Sequence, residues 1–256
     1  MFPIPLVHLP VVDMRESPSL KSRVMSQALF GEEIVVRKNA DHWIYITTSD
    51  GYSGWVAEGS FILSHVSYYE SQISSSRLKA HIYAEPDTEF GPLFSLPYGS
   101  RLRLIDASDA RWAKILLPDG REAYIQKGDV EPEIFDLKKF SQKFLGLPYT
   151  WGGRSSFGYD CSGYVQMLYG KMGLRLPRDA RQQIRDPRGR AVAIEDLALG
   201  DLIFWGDSAE DIRHVGMFLQ KGAFIHTSAR ENRPYLRISQ LTDPAWTGYR
   251  EARRFW

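Results

Sequence analysis

Cys161, the only cysteine among 256 residues, lies in a context that suits nucleophilic chemistry. A glycine-containing stretch from Gly152 to Gly158 precedes it, and apolar residues at helical spacing follow from Tyr164 onward. This pattern predicts that a helix begins near Ser162, with Cys161 in its first turn and Asp160 as its N-cap. The free N–H groups and partial positive charge of a helix N-terminus lower the pKa of a thiol and can stabilise an oxyanion. We therefore predict that Cys161 is a nucleophile, with a small buried apolar residue as the alternative.

Two histidines downstream are candidates for the base that a thiol requires. His214 begins the run HVGMFL, and His226 lies in the run AFIHTS. We expect a three-residue hairpin loop at 220–222, which would place both imidazoles on one face of the strand pair. One histidine could then accept the thiol proton while the other orients it. A structural role for each histidine, or a zinc site formed with Cys161, remains an open alternative, although the usual local spacing of zinc ligands is absent.

Composition limits the partners of this chain. Lys and Arg number 32, Asp and Glu number 31, and the formal net charge is +1. A broad nucleic-acid-binding surface needs clustered positive charge, and a membrane-spanning helix needs about 18 consecutive apolar residues, which the sequence lacks. We expect neither nucleic acid nor membrane as a partner. The predicted thiol chemistry also requires no metal or organic cofactor.

The N-terminal stretch MFPIPLVHLPVVD differs from an export signal. The first basic residue is Arg15, and Pro3, Pro5 and Pro10 interrupt the apolar run. We expect a cytoplasmic protein, with export as the alternative if a leader has been removed.

The first half of the chain contains two similar segments, from Asp13 to Val56 and from His81 to Ile125. Trp43 and Trp112 occupy equivalent places about 69 residues apart, and an Asp-Gly pair follows each of them. Both segments contain runs typical of strands (EIVVR, WIYIT, RLRLI and WAKIL), and Asp-Gly between apolar runs indicates a hairpin. The pattern predicts two small antiparallel barrels in tandem.

Other stretches carry weaker structural signals. The polar, serine-rich stretch from Ser64 to Ser76 predicts a linker or a short helix, and the helical period from Ile134 to Leu145 indicates where mixed α and β structure begins. GDLIFW, from Gly200 to Trp205, is interpreted as a strand after a turn. The basic stretch from Arg250 to Arg254 is interpreted as a solvated end.

Motifs in both halves resemble known families. Met14-Arg15, Gly31-Glu32 and the DGYSGW sequence ending at Trp55 resemble bacterial SH3-like domains. The second half resembles the NlpC-type cysteine peptidases of bacterial cell-wall metabolism. Six motifs carry that resemblance: PYTWGG (148–153), YDCSGY (159–164), LPR (176–178), LGDLIFW (199–205), HVGMF (214–218) and FIHTS (224–228).

The resemblance implies a multidomain fold. Two small all-β SH3-like barrels, at residues 1–66 and 77–131, would precede an α+β papain-like peptidase domain at residues 132–256. This order is similar to that of the γ-D-glutamyl-L-diamino acid endopeptidases, which cut muropeptides with a free N-terminal L-Ala and suit cell-wall recycling. The alternatives are a non-catalytic protein that binds cell-wall peptides, and an amidase or transpeptidase on the same fold.

Catalytic roles follow from the same resemblance. Cys161 would be the nucleophile, His214 the general base and His226 the third, orienting member. Tyr149, twelve residues before the cysteine, would donate its hydroxyl to the oxyanion together with the Cys161 N–H. Plain aromatic packing is the alternative for Tyr149.

Substrate-binding roles are implied for residues that flank the nucleophile. Asp160 and Ser162 would bind the free amine of L-Ala, although helix capping also accounts for Asp160. Ala180 departs from the Ser or Thr of many relatives, which puts strict amine selection in doubt. Arg178 is interpreted as structural.

The first barrel would also contribute to amine recognition. Glu32 and Tyr68 are the candidates, with Glu33 and Tyr69 as close rivals. Solvated surface is the alternative for all four.

Overall fold

Strands form most of this protein. The computed structural model describes residues 3–66, 68, 71–208 and 210–256. They divide into an N-terminal unit, Met1–Ile134 with Ser155–Phe157, and a C-terminal unit, Phe135–Arg154 with Gly158–Trp256. Among the described residues, none of the helices combines the length and apolarity needed to cross a membrane.

The N-terminal unit is all-β, as the sequence predicts. It contains β1 (Ile4–Val7), β2 (Val11–Arg15), β3 (Val24–Leu29), β4 (Val35–Ala40), β5 (Trp43–Thr47), β6 (Ser53–Ala57), β7 (Phe61–Ser64), β8 (Gln72–Ser74), β9 (Lys79–Tyr83), β10 (Phe94–Pro97), β11 (Arg101–Asp106), β12 (Trp112–Leu116) and β13 (Glu122–Gln126), followed by a 3₁₀ turn, Lys127–Asp129. The first barrel has the strand order β3-β2-β6-β5-β4 with β1 paired to β7, and the second has the order β10-β9-β13-β12-β11-β8. The runs WIYIT and WAKIL are β5 and β12, because β-branched and aromatic side chains favour extended backbone.

The stretch between the barrels differs from the prediction of a linker or helix. Its residues Gln72–Ser74 form β8, which pairs antiparallel with β11 so that Ile73 lies opposite Leu102. An extended segment satisfies the free backbone groups of an edge strand, and Ile73 packs against the core of the second barrel. The prediction is therefore wrong for these three residues.

The two barrels contact each other closely within this unit. Phe30, from the first barrel, is buried in the core of the second. The Arg101 N–H donates to the Phe30 carbonyl at 3.1 Å. A Cβ on Gly31 would lie 2.2 Å from the Arg101 carbonyl oxygen, and Gly31 has a φ of +73°. Only glycine fits both the close approach and the left-handed backbone.

The C-terminal unit is α+β. It contains α1 (Leu137–Gln142), β14 (Arg154–Ser155, whose second residue belongs to the N-terminal unit), β15 (Gly158–Tyr159), α2 (Cys161–Lys171), α3 (Ala180–Gln183), β16 (Arg190–Val192), β17 (Leu202–Gly206), β18 (Ile212–Gln220), β19 (Ala223–Ser228), β20 (Tyr235–Gln240) and β21 (Tyr249–Arg254), with 3₁₀ turns at Ile194–Asp196, Arg230–Asn232 and Pro244–Trp246. The sheet order is β16-β21-β17-β18-β19-β20, and α2 packs against β18 and β19. A helix on an antiparallel sheet is the papain-like arrangement that the sequence predicts.

The basic C-terminal stretch is not a solvated end. It forms β21, which lies between β16 and β17 in the sheet. Ala252 is fully buried, and the Arg254 guanidinium pairs with the buried Asp201 carboxylate at 2.7 Å. Positive charge by itself favours a solvated end. The aliphatic part of an arginine can nevertheless cover a sheet while its guanidinium binds a carboxylate.

Candidate active site

Cys161 is the first residue of α2, as the sequence predicts. The Asp160 carboxylate caps the helix by accepting the Gly163 N–H at 2.7 Å. A Cβ on Gly163 would lie 2.3 Å from the carbonyl oxygen of Gly153, so glycine is needed where the preceding loop meets the helix. These contacts fix Cys161, a half-buried residue, at a helix N-terminus.

The environment of the thiol raises its pKa, so the prediction of a lowered pKa is wrong. Burial raises the pKa of Cys161 to about 12, and the Asp160 charge adds to the effect. A hydrogen bond from the Val215 N–H, the Arg178 charge and the Ser162 N–H oppose it but do not outweigh it. Desolvation of the thiolate therefore exceeds the stabilisation that a helix N-terminus supplies.

The two histidines lie on one face of the β18–β19 hairpin, as the sequence predicts. His214 directly precedes Val215, whose N–H contacts the thiol. Its Nε2 is 3.1 Å from Nδ1 of His226, and the rings are almost perpendicular, with centroids 5.0 Å apart. A Cβ on Gly216 would approach the His226 Cβ to 3.2 Å, so glycine gives His226 room.

The turn of this hairpin is shorter than predicted. Residues Lys221 and Gly222 alone connect the strands, with φ values of 48° and 74°, and a bulge lies between Phe218 and Gln220. Two consecutive positive φ values are typical of the tight hairpin turn that matches strand twist. The bulge supplies the extra residue that the predicted three-residue loop contained.

A third polar residue, Ser239 on β20, continues the chain of hydrogen bonds. Nε2 of His226 is 2.9 Å from the Ser239 hydroxyl oxygen. If His214 is to accept a proton at Nδ1, its Nε2–H must donate to His226, and His226 must then donate to Ser239. Sequence reasoning missed Ser239, because YLRISQ shows only strand alternation, and the pairing of β19 with β20 is what brings the hydroxyl to the imidazole.

Both histidines are neutral in this setting. Burial lowers the pKa of His214 to about 3, and the positive charges of Arg230 and Arg237 lower it further. Burial also lowers the pKa of His226 far below its ordinary value, with His214 as the next cause. Cys161 and His214 are therefore present as a neutral thiol and a neutral imidazole rather than as an ion pair.

Two tryptophans enclose the histidines. The Trp246 ring centroid lies 4.8 Å from that of His214 and 4.5 Å from that of His226. Trp205, on β17, lies 5.5 Å from His214. Both indoles are almost fully buried, and their packing contributes to the burial of the imidazoles.

A zinc site is the alternative that the sequence leaves open for Cys161, His214 and His226. Across the residues that the structure describes, no group of three or more His, Cys, Asp or Glu side chains is placed to hold a metal ion. Nε2 of His214 and Nδ1 of His226 instead face each other at hydrogen-bond distance. Nitrogens engaged with each other do not converge on a shared cation.

Tyr149 is half-buried in the loop before α2. Its N–H donates to the Pro234 carbonyl at 2.8 Å, and its backbone forms a bridge with Tyr159. Burial, followed by the charges of Cys161 and Asp160, raises the pKa of its phenol above the ordinary value. The hydroxyl therefore remains a hydrogen-bond donor. Its oxyanion role stays a prediction that this chemistry suits.

Arg178 holds the two residues that flank Cys161. Its buried guanidinium grips Asp160 through two hydrogen bonds, at 2.9 and 2.6 Å, and donates to the Ser162 hydroxyl at 2.9 Å. It also donates to the Gly153 carbonyl at 3.3 Å. The structural interpretation of Arg178 agrees with this geometry. A substrate amine would have to share Asp160 and Ser162 with that guanidinium, and their amine-binding role stays a prediction.

Glu32 is buried within the first barrel, with only 2% of its surface exposed. One carboxylate oxygen accepts the Leu29 N–H at 3.1 Å, and the other accepts the Ser49 hydroxyl at 2.8 Å. The solvated-surface alternative is therefore wrong for Glu32. The neighbouring Glu33 is half-buried. A substrate contact for either residue stays a prediction.

Tyr68 is also buried in the N-terminal unit, so its solvated-surface alternative is wrong too. Its hydroxyl donates to the Leu116 carbonyl on β12 at 2.8 Å, and burial raises its pKa well above the ordinary value. The phenol thus links the segment after the first barrel to the second barrel. Its rival Tyr69 lies outside the described residues. Substrate contact by Tyr68 stays a prediction.

Comparison with known families identifies a domain family for each part of the chain. Residues 146–253 match the NlpC/P60 family. Residues 14–61 match the bacterial dipeptidyl-peptidase Sh3 domain, and residues 79–131 match the bacterial SH3 domain.

Similar proteins extend over nearly the whole chain. A gamma-D-glutamyl-L-lysine dipeptidyl-peptidase of Bacillus cereus is 30% identical over 91% of this chain and 76% of its own length. Dipeptidyl-peptidase 6 of Lysinibacillus sphaericus is 24% identical over 87% of this chain and 86% of its own. The crystal structure of an NlpC/P60 family protein from Bacillus cereus superposes with a TM-score of 0.84 at 26% identity, covering 98% of this chain and 99% of that one.

Proposed function

The chain belongs to the NlpC/P60 family of cysteine peptidases, and on that premise we propose that it hydrolyses the γ-D-glutamyl–L-diamino acid bond of peptidoglycan peptides with a free N-terminal L-Ala. The observation that carries the proposal is similarity to dipeptidyl-peptidases through both barrels as well as the catalytic unit. The proposal includes a role in recycling released wall fragments and a cytoplasmic site of action, because selection of a free amine suits short peptides.

The proposed reaction proceeds through a thioester. The sulfur of Cys161 attacks the γ-carbonyl carbon of D-Glu while the thiol proton passes to Nδ1 of His214. The oxyanion accepts hydrogen bonds from the Tyr149 hydroxyl and the Cys161 N–H. Collapse breaks the amide bond, and His214 returns the proton to the leaving amine of the diamino acid. Water, deprotonated by His214, then cleaves the thioester and releases L-Ala-γ-D-Glu.

The hydrogen bonds that join His214 to His226 and His226 to Ser239 support this cycle. The imidazolium formed on His214 remains hydrogen-bonded to His226. Since burial disfavours imidazolium, the charged intermediate is short-lived and the proton is readily returned to the leaving group. His226 thus orients the base without adding a negative charge to the site.

One experiment tests the proposal. The protein is incubated with L-Ala-γ-D-Glu-diaminopimelate, with its N-acetylated form and with intact sacculi, and the products are identified by mass. The variant Cys161→Ala is compared with Lys171→Ala, a change at the exposed C-terminal end of the same helix. We expect cleavage after D-Glu in the native protein and in Lys171→Ala, and none in Cys161→Ala.

Other outcomes would contradict parts of the proposal. Cleavage by Cys161→Ala would exclude the thiol as nucleophile. Equal cutting of the acetylated peptide would exclude selection for a free amine. Binding without turnover would favour the non-catalytic alternative, and release of peptide from sacculi at the N-terminal amide would indicate an amidase.

A further inference from the structure

Arg230 is an exposed cation beside the two histidines. It begins the 3₁₀ turn that directly follows β19, the strand of His226. Its guanidinium carbon lies 5.4 Å from the centroid of the Trp246 ring, and the same ring contacts both histidines. Among the side chains that the structure describes, none forms an ion pair with Arg230. A positive charge is therefore available to a ligand that binds next to His214 and His226.

Two more deeply buried arginines of the C-terminal unit contrast with it. Arg178 pairs with Asp160 at 2.6 Å, and Arg254 pairs with Asp201 at 2.7 Å. These guanidiniums are neutralised within the fold. Of the described side chains, the Trp246 ring is the one that holds the Arg230 guanidinium, which leaves its N–H donors open to solvent or to a bound molecule.

The loop that carries Arg230 is held in place by a second arginine. The buried Arg237 guanidinium donates to the carbonyl oxygens of Ser228 at 3.0 Å and Arg233 at 2.8 Å. It also donates to the carbonyls of Tyr235 at 3.3 Å and Arg230 at 3.5 Å. Four carbonyls from 228 to 235 thus converge on one side chain. The backbone beneath Arg230 is fixed before any ligand arrives, which lowers the entropy cost of binding.

The charge of Arg230 disfavours protonation of His214. After burial, it is the next cause that lowers the pKa of His214. A carboxylate placed on the guanidinium would cancel this effect and favour the imidazolium that the reaction forms. Binding of an acidic group and activation of the base would then be coupled.

We propose that Arg230 binds a carboxylate of the peptide substrate close to the scissile bond and so selects acidic peptides. The inference rests on the proposed function. A guanidinium is planar and pairs with carboxylates through two parallel hydrogen bonds. Two substrate groups present this chemistry, the α-carboxylate of D-Glu and a carboxylate of the diamino acid, and both lie a few bonds from the amide that is cut.

Three peptides distinguish these sources. They are L-Ala-γ-D-Glu-L-Lys, the same peptide with the D-Glu α-carboxylate amidated, and the same peptide with the Lys carboxylate amidated. Each is assayed with the native protein, with Arg230→Gln and with Arg230→Lys. The control is Arg233→Gln, an exposed arginine three residues further along the same loop.

We expect Arg230→Gln to raise the KM for the fully acidic peptide by about 10- to 100-fold, the size of one charge-assisted hydrogen bond. The variant and the native protein should have nearly equal KM values for the peptide that lacks the recognised carboxylate, which identifies that group. Arg230→Lys should recover part of the loss, and Arg233→Gln should resemble the native protein. An equal loss on all three peptides, or no loss on any, would overturn the proposal.

Binding in the Cys161→Ala background separates this proposal from the proposed function. Calorimetry measures Kd for the acidic and amidated peptides with Cys161→Ala and with Cys161→Ala/Arg230→Gln. Tighter binding of the acid that disappears with Arg230→Gln supports carboxylate recognition, whichever bond the native protein cuts. Equal Kd values for acid and amide would overturn it even if the native protein cleaves the expected bond.

Discussion

Replacement of Ser239 by alanine tests the direction of the hydrogen bonds behind the base. In the native protein, Nε2 of the fully buried His226 lies 2.9 Å from the Ser239 hydroxyl oxygen. Without that hydroxyl, an Nε2–H would be buried with no acceptor, at a cost of about 1–3 kcal/mol. His226 can avoid this cost by moving its proton to Nδ1, where it would donate to Nε2 of His214.

That rearrangement would disable the base. His214 would then carry its proton on Nδ1, the nitrogen that accepts the thiol proton of Cys161 in the proposed reaction. Since about 1.4 kcal/mol corresponds to a tenfold change in rate, the same cost predicts a fall in kcat of about 10- to 100-fold. KM should change little, because Ser239 lies behind the histidines as a positioning residue. Ser239→Thr keeps a hydroxyl on a strand that favours β-branched residues and should retain most activity.

The assay combines steady-state kinetics on L-Ala-γ-D-Glu-L-Lys with ¹⁵N chemical shifts of the imidazoles, which distinguish the two tautomers. Thermal unfolding of each variant checks that any loss is not a loss of fold. If Ser239→Ala keeps kcat within about twofold of the native value, or if the tautomers are unchanged, the reasoning about the direction of the hydrogen bonds is wrong.

The other predictions concern the thiol and its supports. Because burial raises the pKa of Cys161 to about 12, the thiol is neutral near pH 7 and becomes thiolate as pH rises. The rate of alkylation by iodoacetamide should therefore be low at pH 7 and still increase above pH 9. A rate that reaches its plateau below pH 8 would contradict this. Because burial lowers the pKa of His214 to about 3, the base stays neutral in mild acid, and kcat/KM should show no loss attributable to it from pH 7 down to pH 5. Arg178→Gln leaves the Asp160 carboxylate without its buried partner and should lower the free energy of unfolding, measured in urea, by about 3–5 kcal/mol. Arg121→Gln breaks an ion pair with Asp119 whose side chains are 68% and 34% exposed and should cost less than about 1 kcal/mol; equal losses would refute the distinction. Gly163→Ala places a methyl group 2.3 Å from the Gly153 carbonyl oxygen, so it should lower the free energy of unfolding by about 1–3 kcal/mol and also lower kcat. The control is Gly170→Ala in the same helix, where a Cβ would meet no described atom within 4 Å, and this change should be neutral or stabilising.

Local features of this protein could be predicted from the sequence. The start of α2 at Cys161 follows from the Asp160 cap and the apolar spacing that comes after it, and both act within one or two turns. Strands such as Trp43–Thr47 follow from their β-branched and aromatic residues, which favour extended backbone. The shared face of His214 and His226 follows from pairing across a short turn. These features depend on residues close together in the chain, so a single sequence contains the information.

Other features were decided by tertiary structure. Arg178 reaches Asp160 across 18 residues and Ser239 reaches His226 across 13, and no local pattern indicates either contact. Arg250 to Arg254 joins the sheet because its backbone completes hydrogen bonding between β16 and β17.

The pKa of Cys161 shows the difference most clearly. The sequence places the thiol at a helix N-terminus, which lowers a thiol pKa, whereas the folded chain desolvates it and raises the pKa instead. Helix position is a local property that the sequence determines. Desolvation depends on every group packed around an atom, so only the tertiary structure decides which effect is larger.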